Sequence, residues 1–321
     1  MKIKKYGGNS MRPYVILADA TCDICEDVRK EIGMTDYLPG HVFADGVKEF
    51  PFTLDWSEIS RTEFYKMLSK KKVKVTTAPP NLTEYCEAFE KYAGDGVDII
   101  SMSLSSKISS THNTACLAAE TVKEKYPDAR IYCFDTFRMS GAFGLLVIYA
   151  HLWQAEGKSF EEVVELLEQN KRRVHQMGPI DDLFFVARRG RITMGKAIMG
   201  SLVGFKPMGD CSADGYTEVL TKVRGIPAAL DVTVEYVKET AVNIEDQVLL
   251  VAHSDRETYA KMLYDKLSAA LSPKKIYMSE VFPGCGANIG PGMVGVFYLG
   301  NEIEDGMAAE REVMTRLTEK K

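Results

Sequence analysis

The chain predicts an α/β protein, with an N-terminal domain built on a mainly parallel sheet flanked by helices and a second, α+β domain behind it. Three observations carry this. Strand and helix patterns alternate along the sequence, the signature of layered α/β architecture. The strand candidates of the first half are unbroken apolar runs, as parallel strands covered on both faces tend to be. In the second half, 205–211 and 216–223 flank Asp214-Gly215, a strong short-range hairpin signal.

Residues 14–18 are an apolar run ending in Asp19, and a helical pattern through Val28 and Ile32 follows. Ser60 with Glu63, Asn81 with Glu84, Ser159 with Glu162 and Ser254 with Glu257 have capping-box spacing, each ahead of an apolar helical pattern. Behind Ser159, the residues Phe160, Val163, Val164 and Leu167 share one helix face. Further strands are expected at 97–102, 130–134, 183–186, 248–252, 276–281 and 294–299. The turn Gly157-Lys158-Ser159 marks the expected boundary between domains 1–158 and 159–321. No internal repeat of about 20 to 50 residues is visible.

A length of 321 residues suits about two domains of ~150 residues. The composition, 45% hydrophobic and 26% charged, is that of a chain that folds alone. Forty basic against 45 acidic residues leave a net charge of -5, so no bulk positive field favours nucleic acid as a main ligand. The apolar stretch 141–153 falls short of the ~20 residues of a membrane span and reads as a buried helix. Lys2, Lys4 and Lys5 are followed by polar residues, not by the apolar core of a secretion signal. Seven cysteines, odd in number and scattered, argue for reduced thiols and a cytoplasmic location.

The segment richest in chemistry is Ser101-Met-Ser-Leu-Ser-Ser-Lys-Ile-Ser-Ser-Thr111, between a buried strand and a helix starting near Thr111. Strand carboxyl ends and helix starts are where open α/β sheets bind anions, so these hydroxyls suit a carboxylate or phosphate. On the plainer reading they only cap the helix. Thr76-Thr77-Ala78-Pro79-Pro80 reads as a second hydroxyl turn in the same topological position, a wall of the same site. Gly284-Cys-Gly-Ala-Asn-Ile-Gly-Pro-Gly292 precedes a strand rather than a helix. It is therefore expected to be a strand-to-strand loop approaching a ligand, not a dinucleotide fingerprint.

Cys22-x-x-Cys25 has no second Cys/His pair at zinc spacing. No serine elbow, phosphate loop or His-Glu-x-x-His is present, and no cofactor or metal is expected. His112 and His253 stand near strand-end turns, where a lone histidine is most often a surface or capping residue. Arg188-Arg-Gly-Arg-Ile192 and Lys222-Val-Arg224 form two basic loops, solvated charge or a docking patch for an acidic partner.

In order, these segments resemble the DegV family of bacterial fatty-acid-binding proteins, carrier subunits of a fatty acid kinase. Asp19-Ala-Thr-Cys-Asp23 is similar to the family's Asp-Ser-Thr-x-Asp, Thr76-Thr-Ala-Pro79 to its Thr-Ser-Gln-Pro, and Leu104-Ser-Ser-Lys-Ile-Ser-Ser-Thr111 to its Leu-Ser-Ser-x-Leu-Ser-Gly-Thr. Asp135-Thr136 with Ser140-Gly-Ala-Phe-Gly144, Arg189-Gly-Arg-Ile192, Lys206-Pro207 with Asp214-Gly215, and Lys222-Val-Arg224 follow in family order. Asn288-Ile-Gly-Pro-Gly292 stands where the family usually has His-Thr-Gly-Pro-Gly.

The resemblance implies a long-chain fatty acid buried between the two domains, its carboxylate met by Thr76 or Thr77, by Ser105 or Ser109, and by Asn288 with the adjoining Gly290. It also implies a partner, the kinase's catalytic subunit, which the two basic loops are expected to meet at Arg191, Lys222 and Arg224, and leaves room for transient contact with a membrane surface. Asn288 can donate a hydrogen bond but cannot become cationic, which sets its carboxylate contact apart from a histidine's. Two readings compete with a non-enzymatic carrier. One is a serine-dependent acyl hydrolase or transferase using Ser105, Ser106 or Ser109 with His112 as base. The other is an interaction module using the basic loops alone.

Overall fold

A computed structural model describes residues 12–45, 48–70, 73–193 and 203–319, so the N-terminal lysines noted above lie outside the described residues. The first half runs β1 (Tyr14–Asp19), α1 (Glu26–Ile32), β2 (Tyr37–Leu38), β3 (Gly40–Ala44), β4 (Lys48–Phe52), α2 (Arg61–Leu68), β5 (Val75–Ala78), α3 (Leu82–Ala93), β6 (Asp98–Ser103), α4 (Thr111–Lys125), β7 (Ile131–Asp135) and α5 (Ser140–Ala155). The second runs α6 (Phe160–Asn170), β8 (Val174–Met177), α7 (Leu183–Arg188), β9 (Ile192–Thr193), β10 (Phe205–Cys211), β11 (Thr217–Arg224), α8 (Ile226–Thr240), β12 (Val248–His253), α9 (Glu257–Ala270), β13 (Lys275–Glu280), α10 (Pro283–Ile289), β14 (Val294–Leu299) and α11 (Ala308–Glu319).

The protein is a mixed α/β structure whose first sheet, in the order β2-β1-β6-β7, is wholly parallel. Alternation along its strands separates two cores. Leu17, Ile99 and Ile131 pack with Tyr85, Phe89 and Ala115 of α3 and α4. Ile16, Ile100, Met102 and Phe134 belong instead to the large core that contains α5. The opposing sheet, β13-β12-β14-β8, is parallel at β12/β13 and antiparallel elsewhere.

Helix α5 touches β1 on one side and β12, β14 and β8 on the other, which is why it is buried nearly all round rather than along one stripe. Two glycines permit that approach. A Cβ on Gly141 would lie 2.2 Å from the Phe297 ring, and one on Gly144 would lie 2.3 Å from the Cys22 carbonyl oxygen. Among the described residues two small sheets follow, the antiparallel β4-β3-β5 and the β10-β11-β9 sheet, where β10 and β11 form the expected hairpin. Ser60, Asn81 and Ser159 cap α2, α3 and α6 as their spacing predicts.

Four local expectations give way. Residues 183–186 are helical, not a strand, because the Asp182 carboxylate accepts from Phe185 N at 2.9 Å and caps α7; a short apolar run alone does not decide between the two. Residues 284–292 are not an open loop, since 283–289 form α10, with Pro at its first turn and Gly290 at φ 75 ending it. Thr76 and Thr77 lie inside β5, paired with Phe43 and Val42, rather than in a turn. Helix α9 starts after Arg256, while the Ser254 hydroxyl instead accepts from Met293 N at 2.8 Å. All seven cysteines are free, and among the described residues no helix is long and apolar enough to cross a membrane.

Candidate functional site

Aspartates at strand carboxyl ends organise the loops that frame a cavity. Asp19, at the end of β1, accepts from Thr21 N at 2.9 Å, from the Thr21 hydroxyl and from Leu104 N at 3.1 Å, so it holds the first residue of the serine loop. Asp135, at the end of β7, takes Ser106 N at 3.2 Å and Phe137 N at 3.1 Å. Asp23 receives Phe282 N at 2.9 Å and the Ser140 hydroxyl, tying the start of α5 to the segment before α10. Burial pushes the Asp19 carboxyl up to about 6 and that of Asp23 up to about 8, against the downward pull of these hydrogen bonds.

The cavity measures about 280 Å³, nearly twice the ~150 Å³ of a dry protein cavity that accepts benzene. Its walls mix apolar residues, among them Leu104, Ile108, Met139, Met177 and Phe297, with Thr77, Ser109, Thr111 and Asn288. The Asn288 amide donates to Thr77 Oγ1 at 3.3 Å, joining β5 to α10, and Ser109 Oγ lies 2.7 Å from Thr111 Oγ1. β5 leads through Pro79 and Pro80 into α3, the serine loop leads into α4, and the two helices pack side by side. Both helices return against the direction of the parallel strands, so their N-termini, with their hydroxyls, lie at the same end of the sheet.

Of the other residues singled out in the sequence, Thr76 faces away from Thr77, as neighbours in a strand do, and does not line the cavity. Ser105 is fully buried; its Oγ accepts from Lys107 N at 3.3 Å and sits where a Cβ on Gly215 would be 2.2 Å away. Gly290 packs on the Phe185 ring, setting α10 against α7 from outside the lining. Arg191 is exposed and lines the cavity. The Lys222 ammonium stands 5.4 Å from the centre of the Phe205 ring, and Arg224 is exposed. β11 meets β9 at Thr217 beside Ile192, so Lys222 lies about 17 Å further along the strand at ~3.4 Å per residue. Arg191 and the Lys222/Arg224 pair are thus two separate patches.

His112 Nε2 lies 3.5 Å from Cys116 Sγ, and no hydrogen bond joins it to a serine among the described residues. Asp19 also lines the cavity, and a strand-end acid two residues before a hydroxyl is the signal in the sequence that points to it. Gln176 and Thr217 line the cavity as well, and no motif in the sequence marks them.

The sequence model of a family described as "Uncharacterised protein, DegV family" matches residues 13–301. A DegV domain-containing protein of Clostridium perfringens is 31% identical over 298 residues, covering 92% of this chain and 100% of that one. Among solved structures, a DegV lipid binding protein of Thermotoga maritima superposes with a TM-score of 0.78 at 22% identity, covering 92% of this chain and 100% of its own. A DegV family protein of Thermus thermophilus, described by its fatty acid binding, gives 0.79 at 24% identity over 90% and 100%.

Proposed function

The chain belongs to the DegV family, and from that premise we propose that it binds a long-chain fatty acid in the cavity and presents the carboxylate to a partner kinase. The observation that carries the reading is the cavity itself, a partly apolar volume to whose walls Thr77, Ser109 and Asn288 bring two hydroxyls and one amide from three separate segments. In this reading the carboxylate accepts hydrogen bonds from these groups, and the acyl chain lies among the methionines, Leu104 and Phe297. Each buried methylene contributes ~0.8 kcal/mol, so a chain of about 15 offers on the order of 10 kcal/mol before ordering costs. No catalytic group is required of this protein. A separate ATP-dependent kinase, meeting it in the cytoplasm at Arg191, Lys222 and Arg224, transfers the phosphoryl group to a carboxylate oxygen. Relatives described as fatty acid or lipid binding proteins support the choice of ligand.

Calorimetry with palmitate tests the head-group assignment. Thr77→Ala combined with Ser109→Ala is expected to weaken binding by about 2 to 4 kcal/mol, two charge-assisted hydrogen bonds with some overlap. Unchanged affinity would place the carboxylate elsewhere.

A further inference from the structure

We propose that the cavity accommodates an acyl chain carrying a second polar group, a hydroxyl set away from the carboxyl end, and that Gln176 and Thr217 receive it. The proposal rests on the carrier reading above. Both residues line the cavity. They come from β8 and β11, which pack on β10 and β14, whereas Thr77 and Asn288 come from β5 and α10, which pack on each other. No hydrogen bond joins the pair to Thr77, Ser109 or Asn288 among the described residues.

Their hydrogen-bonding capacity is only partly used. The Gln176 amide donates to Thr217 Oγ1 at 2.8 Å, and its Oε1 has no partner among the described residues. Reversing the amide would leave its NH₂ group unspent instead. The Thr217 hydroxyl has the Met139 thioether, at 3.9 Å, as its acceptor, and sulfur of this kind accepts weakly. Thr217 is 6% exposed, so water does not supply its hydroxyl with a stronger acceptor than the thioether.

A plain hydrocarbon chain laid over this pair removes water from the half-buried Gln176 amide and returns nothing. A hydroxyl on the chain donates to the amide oxygen and accepts from Thr217 in its place. Sites that hydrogen-bond a substrate hydroxyl discriminate strongly against the analogue lacking it, because their own polar groups are left unpaired.

The test is calorimetry with stearate and with a set of hydroxystearates differing in the mid-chain position of the hydroxyl, on the full chain and on Gln176→Met and Thr217→Val. At least one positional isomer is expected to bind on the order of tenfold tighter than stearate, and each substitution to abolish or invert that preference. If stearate binds and every hydroxy isomer binds equally or more weakly, the proposal falls and the carrier reading stands. A preference that survives both substitutions also overturns it. Failure of every acid to bind overturns the carrier reading, and this proposal with it.

Discussion

Asp23 shows how much of the site rests on single carboxyl groups. It holds a left-handed backbone at φ 53 and is wholly buried, with Phe282 N and the Ser140 hydroxyl donating to it. Burial pushes its carboxyl up to about 8 and that of Asp19 up to about 6. An unfolded aspartate titrates near ~4, so above that pH the native state binds more protons than the unfolded one. Their contribution to stability is complete below about pH 4 and is lost as pH rises through 6 and then 8. For His175, burial pulls the imidazole down but Asp210, 2.6 Å away, more than offsets this. It adds the same sign above its ordinary range, so the informative comparison is between variant and parent. Asp23→Asn keeps an acceptor for Phe282 N without a charge to bury. Its melting temperature is expected to fall less between pH 5 and pH 8 than the parent's, by differential scanning calorimetry. An identical fall in both proteins would assign the dependence to other groups.

At the scale of elements, α5 packs against strands of both large sheets, and its first residue, Ser140, borders the cavity. Its first turn meets Phe297, a cavity residue, across Gly141. Gly141→Ala is therefore expected to cost about 1 to 3 kcal/mol by overpacking, read as a lowered denaturation midpoint, and to reduce acyl capacity as the ring shifts. Full stability with unchanged binding would show that the ring moves freely. Elements such as β1, β6 and β12 were legible because strands covered on both faces carry unbroken apolar residues. The sheet β4-β3-β5 was not, since its strands include Gly40, Lys48, Glu49 and Pro51, residues that are weak strand formers alone. Helix α10 was hidden for a similar reason. Its Gly-Cys-Gly-Ala-Asn sequence has little helical preference, and Gly284 and Gly286 serve instead to seat it against Phe52 and Tyr65. The site divides in the same way. Thr77, Ser109 and Asn288 were visible as hydroxyl segments and ordered motifs, but the contact of Asn288 with Thr77 spans 211 positions and no local spacing encodes it.

For the molecule as a whole, the proposed partner meets an acidic protein of net charge -5, so local basic patches must do the steering. Arg224→Glu is expected to slow acyl-phosphate production by the cognate kinase by about tenfold at low salt, with the difference shrinking as ionic strength rises, while palmitate affinity is unchanged. A parallel loss of palmitate binding would put the residue in the pocket rather than at a docking face. These patches gain meaning only if the cavity carries an acyl chain, and that claim is open to one direct measurement. Protein purified from a bacterial host, denatured, extracted and analysed by mass spectrometry is expected to release a fatty acid at about one per chain. Recovery of none, together with no uptake of added palmitate or oleate, would contradict the account.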